Sequence, residues 1–428
     1  MTAGLTITTT KPNDDPTITT HQVETACPVD RDWIKKLILE HSEHPNDGKA
    51  LVIAPMVDQS DYPYRLLCRR YGSNVGFTPM IHSRLMVNSP DYRARFLPTA
   101  QHENDRPLIA QLCGHEPEIL EQAAKLLSPF VDGIDLNCGC PQAIAKRGFY
   151  GAFLLEDEDI LLKCVRHMVK TISKPVSVKV RLLPGDPQNS IDLYQKLVDS
   201  GIHLLTVHGR TRHQNKCRTG AADWDMIRRV VDLFGHRIPI FANGSISSLE
   251  DVRKCFEHTG VDGVMSSEAL LEYPALFQEA KIGRIQLAKE YLQLAKQYPP
   301  EQGGQGSGIK CLRVHIHRFL HDDLEGNNEL RQQIAQAETW QVLWDTVLSI
   351  EQKQEAEEHK VDEEVLCWYM RHRVTVYDEN GVPMSALQKV TNRNCNIKSF
   401  ELEDDAAECF DCLFGGGGDD EEGEDGEY

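Results

Sequence analysis

Between residues 50 and 267 the chain alternates a short apolar run with a longer amphipathic one, and that alternation leaves few folds open to it. The apolar runs are ALVIAP, VGFTPM, PLIAQLCG, DGIDLN, KPVSVKVRL, HLLTVHGRT, IPIFANGS and VDGVMSS. Between them lie segments of helical period, such as DYPYRLLCRRYG, EPEILEQAAKLLS and DWDMIRRVVDLFG. Strands joined through helical crossovers run parallel, and eight of them fit an α/β fold closed as a (β/α)8 TIM barrel better than an open sheet. Only the second unit is irregular. Residues 80–106 hold no helix of matching length, and a short helix at 91–96 is the reading they support.

A barrel places function at the C-terminal ends of its strands. Polar or reactive residues stand at nearly every such end: Pro55 and Met56, Gln111, Asn137 with Cys140, Lys179 with Arg181, His208 to Arg210, Asn243 to Ser245, and Ser266 with Ser267. Any one of these alone could be an ordinary rim residue. Seven together point to a site.

The fourth strand opens directly into CGCP. Pro141 forbids both continuation of the strand and an immediate helix, so Cys138 and Cys140 sit on a strand-end loop. Cys138 follows Asn137 and keeps the strand's geometry, whereas Gly139 permits a turn that frees Cys140 to point across the mouth. Gly244, Ser245, Ser266 and Ser267 follow the seventh and eighth strands, where barrels present backbone N–H groups to phosphate. Alternation along VKVRL puts the Lys179 head in the mouth, where it needs an anion or an electron-rich ring.

The ordered set APM, Gln111, NCGCP with a basic loop and GAFLL, VKVRL, HGRTR, ANGSI, DGVM and ALLEYPALF resembles the motif series of the tRNA-dihydrouridine synthases over about residues 49–280. GCPQAIAKRGFYGAFLL and MSSEALLEYPALF look more like the eukaryotic subgroup acting on D-loop positions 16 and 17. The resemblance implies that Pro55, Met56, Gln111, Lys179, His208, Asn243, Gly244, Ser245, Ser267 and Glu268 bind FMN. It also implies that Asn137 and Arg181 meet the uracil and that Cys140 is the proton donor. Many members carry Gly-Arg where this chain has Ser267-Glu268, which implies phosphate binding through backbone donors rather than the Glu268 side chain.

The implied chemistry needs such residues. Hydride from reduced FMN adds at C6 of uracil, and a proton must then reach C5. A thiol of ordinary pKa about 8.5 is protonated at neutral pH yet acidic enough to give that proton up. NADPH or NADH would reload the flavin. No glycine fingerprint marks a second dinucleotide fold, so the nicotinamide is expected to enter the same mouth.

Beyond Pro274 the pattern turns helical, with segments at 276–298 and 309–325 and others to about 373. The expected organisation is an unstructured segment at 1–30, an FMN-binding barrel at 49–275, a smaller all-helical tRNA-contacting domain at 276–375, and an acidic unstructured tail at 399–428. In the segment from Ile309, Lys310, Arg313, His317 and His321 share one face, apolar residues share another, and Lys310, Arg313 and Arg318 are candidate RNA contacts.

Taken whole, a net charge of −19 argues against a polyanionic partner, but the last 30 residues hold 13 acidic side chains and no Lys or Arg. Subtracting −13 from −19 leaves −6 for the other 398 residues. With scattered cysteines, no apolar signal region and no membrane-length run, the expected setting is reducing, cytoplasmic and/or nuclear. Cys409 and Cys412 form a CxxC without a second pair at zinc-ribbon spacing, so no metal is expected. Two other readings stand beside tRNA reduction: a flavin reductase of a free pyrimidine, and a catalytically inactive tRNA-binding protein.

Overall fold

The computed structural model describes residues 30–97, 104–214, 220–300, 308–324 and 327–356. The acidic tail, Cys409 and Cys412, all but the last residue of the 1–30 segment and residues 357–375 lie outside the described residues. Among the described residues nine parallel strands form the centre: β1 Ala50–Ile53, β2 Val75–Phe77, β3 Ile81–His82, β4 Leu108–Cys113, β5 Gly133–Cys138, β6 Val176–Leu182, β7 Leu204–Thr211, β8 Ile240–Asn243 and β9 Gly263–Ser266. The order β2-β1-β9-β8-β7-β6-β5-β4 closes through a β2–β4 pairing, giving an eight-stranded barrel.

β3 is a continuation of the second strand. Gly76 pairs with Leu108 and, after Thr78-Pro79-Met80, Ile81 pairs with Leu112. Pro79 lacks the N–H the ladder needs, so the strand breaks there and resumes with its register changed by one residue. The irregular second unit then runs through two short helices, Ser83–Asn88 and Pro90–Phe96, where the sequence suggested only 91–96.

Helices start where the sequence supplies caps. Asp61, Asp157, Asp186, Asp223 and Ser248 each accept a backbone N–H of the first turn of the helix that follows a strand end. Each such cap contributes about 1 kcal/mol. Along β5 and β6 the pleat divides the residues. Ile134, Leu136, Val178 and Val180 are fully buried, while Asp135, Asn137, Ser177 and Lys179 form the polar set whose hydrogen bonds cross the barrel. The helix Trp33–His41 covers the opposite, N-terminal end. Trp33 donates its indole N–H to the His203 carbonyl just before β7, and Arg31 pairs with Asp262 just before β9.

Among the described residues the C-terminal part contains helices only: Arg284–Gln297, Ile309–Phe319, His321–Leu324, Asn328–Gln336 and Trp340–Ala356. The first starts eight residues later than the periodicity suggested, after Gly283, and the expected helix at 309–325 breaks at Leu320. Arg284–Gln297 packs on the barrel helix Tyr62–Arg70, and Ile309–Phe319 packs on the short helix Glu268–Glu272 that follows β9. No helix among the described residues is long and apolar enough to cross a membrane.

Candidate active site

A cavity of about 530 Å³ opens at the C-terminal ends of the strands, within the ~300–1,000 Å³ usual for small-molecule sites. Every barrel residue to which the resemblance gives a role lines it: Pro55 and Met56 after β1, Gln111 on β4, Asn137 on β5 with Cys140 beyond, Lys179 and Arg181 on β6, His208 on β7, Asn243, Gly244 and Ser245 at the end of β8, and Ser267 and Glu268 after β9. Of the three basic residues assigned to RNA, Arg318 also lines this cavity, while Lys310 and Arg313 do not. The Arg313 guanidinium donates to the Ala335 carbonyl within the helical part. His317, on the face shared with Lys310 and Arg313, is held down to about 4 by burial.

A chain of amides spans the floor. Asn137 donates from Nδ2 to Gln111 Oε1 at 2.7 Å, and Gln111 donates from Nε2 to Asp135 Oδ2 at 2.8 Å. Ser177 donates its hydroxyl to the other Asp135 oxygen at 2.6 Å. Asp135 is fully buried, and burial lifts it to about 6 despite these donors and the nearby Lys179. Lys179 Nζ donates to Asn243 Oδ1 at 3.0 Å, and Asn243 in turn donates to the Met265 carbonyl. Burial and the neighbouring Arg181 lower Lys179 to about 8, with Asp135 and Cys140 acting the other way.

The two cysteines are separated by the turn. Cys138 pairs with Val180 across the β5–β6 ladder, is fully buried, and does not line the cavity. Cys140 is half-buried in the cavity wall. Its loop is fixed from three sides. Asn137 Oδ1 accepts the N–H groups of Gly139 and Cys140, both at 3.0 Å, Arg181 Nε donates to the Gly139 carbonyl at 2.8 Å, and the Ala152 N–H donates to the Cys140 carbonyl at 2.9 Å. A side chain at Gly151, which has φ of +65°, would press to within 2.7 Å of that carbonyl, so glycine is required. Burial raises the Cys140 thiol above its ordinary value, opposed by a backbone hydrogen bond at Gln142 and by Arg181 and Lys179.

The end of β8 is built for close approach. Gly244 has φ of +107°, and a Cβ there would come within 2.9 Å of both His208 and Ala222. Ser245 follows with φ of +58°. Arg210, which the sequence reading left as a strand-end residue without a role, donates twice to the Gly220 carbonyl and once to Ser245 Oγ at 3.2 Å, next to His208. Of these supporting residues, Arg210 is named from the sequence only as one of the strand ends, and Asp135 is not singled out there at all.

The dihydrouridine synthase (Dus) family model matches residues 52–358. The chain belongs to the dihydrouridine synthase family. It is 41% identical over 292 residues to the Mus musculus protein named tRNA-dihydrouridine(16/17) synthase NAD(P)(+)-like, covering 68% of this chain and 59% of that one. It is 37% identical over 292 residues to the Schizosaccharomyces pombe tRNA-dihydrouridine(16/17) synthase, covering 67% and 72%. The Homo sapiens protein named tRNA-dihydrouridine(20a/20b) synthase NAD(P)+-like is 37% identical over 283 residues, covering 65% and 84%. The chain spans less than two thirds of the length of the mouse and rat relatives. Within this Dus chain the family match starts in β1 and runs through the whole of the last described helix, so it takes in the barrel mouth and the helices beside it.

Proposed function

We propose that the chain reduces uridine in the tRNA D-loop to 5,6-dihydrouridine, with FMN as resident cofactor and NADPH or NADH as reductant. The observation that carries this reading is the position of Cys140 in the wall of one cavity that also holds Lys179, Asn243 and the β8 loop, while Cys138 is turned away. The mouse, fission-yeast and budding-yeast relatives at 36–41% identity carry tRNA-dihydrouridine(16/17) synthase in their names, and the human relative at 37% carries 20a/20b.

The residues present fit FMN. The Gly244 backbone is bare where an added side chain would collide, and the Gly244-Ser245 turn lies where barrels hold phosphate. Gln111, Asn137, Lys179 and Asn243 line the same cavity and would offer donors and acceptors to the flavin ring. FMN held there would supply the hydride chemistry that reduction at C6 of uracil requires.

The chain's own residues do the rest. Cys140 holds its proton on Sγ through neutral pH and delivers it to C5. Lys179 and Arg181 place positive charge beside the ring on which negative charge develops. The Asn137 and Arg181 hydrogen bonds fix the donor loop, and the helical part offers a second surface for a folded RNA from which one base must be withdrawn.

The test is direct. The purified chain should be yellow, oxidise NADPH or NADH, and restore dihydrouridine to tRNA from cells lacking it, with the position mapped by reverse transcription after reduction or alkaline cleavage. A colourless chain that still binds tRNA would support the inactive binding protein instead. Turnover of free uridine at the rate of tRNA would support the free-pyrimidine reductase.

A further inference from the structure

We infer that Arg318 anchors the phosphate of FMN, so that the helical part, and not the barrel alone, completes the cofactor site. This rests on the FMN reading above. The helix carrying Arg318, Ile309–Phe319, packs on Glu268–Glu272 after β9, and Arg318 lines the cavity together with Ser245, Ser247, Ser267 and Glu268. That lip offers hydroxyls and bare backbone, but it also presents the Glu268 carboxylate. A phosphate there meets a like charge and needs a cation within a few ångströms.

Four cations line the cavity among the described residues. Lys179 sits on β6, donating to Asn243. Arg181 spends its fork on the carbonyls of Gly139 and Thr211, on the β5 and β7 side. Arg210 uses its fork to hold Gly220 and Ser245, shaping the β8 turn. Arg318 alone among these approaches from the β9 side. A guanidinium is planar and matches two phosphate oxygens at once, which suits a group that must fix orientation as well as charge.

The direction of Arg318 is set one turn earlier on its helix. His315 is fully buried, stacks on Tyr64 with ring centroids 4.6 Å apart, and lies 2.8 Å from Asp61 Oδ1. Residues three apart share a helix face, so the contact that turns His315 toward the barrel turns Arg318 toward its mouth.

The test compares FMN with riboflavin, which lacks only the phosphate. Apoproteins of the wild type, Arg318→Gln and Arg318→Lys are titrated with each flavin by fluorescence. Loss of a charge-assisted contact should cost Arg318→Gln about 10- to 100-fold in FMN affinity, with riboflavin affinity unchanged and Arg318→Lys in between. Riboflavin binding at the wild-type level shows in the same experiment that the variant is folded. If the wild type prefers FMN and Arg318→Gln keeps that preference, this inference is overturned while the cofactor reading stands. Loss of tRNA affinity with the FMN preference intact likewise overturns it, and assigns Arg318 to an RNA phosphate. If the wild type binds neither flavin, both readings fall.

Discussion

Asp61 and His315, separated by 254 residues in sequence, meet with Oδ1 and Nε2 2.8 Å apart and join the first barrel helix to the helical part. Asp61 also accepts from Cys311 Sγ, from the Tyr291 hydroxyl and from the Tyr64 backbone N–H at the start of its own helix. The ligand atoms of Asp61, Cys311 and His315 lie within 4.8 Å of one another, a spacing for which these hydrogen bonds already account.

Removing that shared acceptor strands several buried donors at once. Asp61→Ala should therefore cost about 2–4 kcal/mol, more than a helix cap alone, whereas Asp61→Asn should cost less. Urea unfolding of the two variants checks this. Equal losses would show that the carboxylate is not the hub.

Cys140→Ala should keep its flavin and its reduction by NADPH but lose about 10²- to 10⁴-fold in tRNA reduction, the usual loss on removing a positioned acid. Cys138→Ala removes a sulfur buried outside the cavity and should alter stability far more than rate. Single-turnover oxidation of the reduced protein by tRNA separates the two. Because burial raises the Cys140 thiol, the alkaline fall of that rate should come above the ordinary thiol range.

Lys179 predicts a second pH effect. Its charge is present below about 8 and lost above, so flavin binding by the apoprotein should weaken as pH rises from 7 to 9. In Lys179→Met it should be weak and flat. For stability the sign is opposite. Between about 8 and the ordinary 10.5 the folded chain binds less proton than the unfolded chain, so Lys179 contributes stability that rises across this window. Thermal melts of wild type and Lys179→Met against pH read the difference.

The RNA surface proposed from the sequence now divides. Lys310→Ala should weaken tRNA binding and lower the slope of log affinity against log salt by about one, with flavin content unchanged. Arg313→Ala should act through stability, because its guanidinium is engaged by Ala335. Filter binding at several salt concentrations decides this, and an unchanged slope in Lys310→Ala would move the surface elsewhere.

What could be read from the sequence was local. The strand ends were visible because apolar runs stop at Gly, Pro or a polar residue, and the helices between them because their apolar residues recur at helical spacing. The second unit was not, because Pro79 splits its strand and its two helices are too short to show a period. Arg318 was named as an RNA contact because a helical period shows which residues share a side but not which way that side turns, and that direction depends on packing against Asp61, far away in the chain. Asp135 went unremarked because nothing in GIDLN distinguishes a buried carboxylate held by Gln111 and Ser177 from a strand residue facing water.

Asn137 joins two duties in one amide. Its nitrogen belongs to the amide chain on the cavity floor through Gln111, while its oxygen holds the backbone of the cysteine loop. A defect in Asn137→Ala would thus confound the geometry of the floor with the aim of the thiol, and mutagenesis that scores it as a ligand contact would misassign the cause. Asn137→Asp, which keeps an acceptor for the loop and forfeits the donor to Gln111, is the substitution that would let the two be told apart.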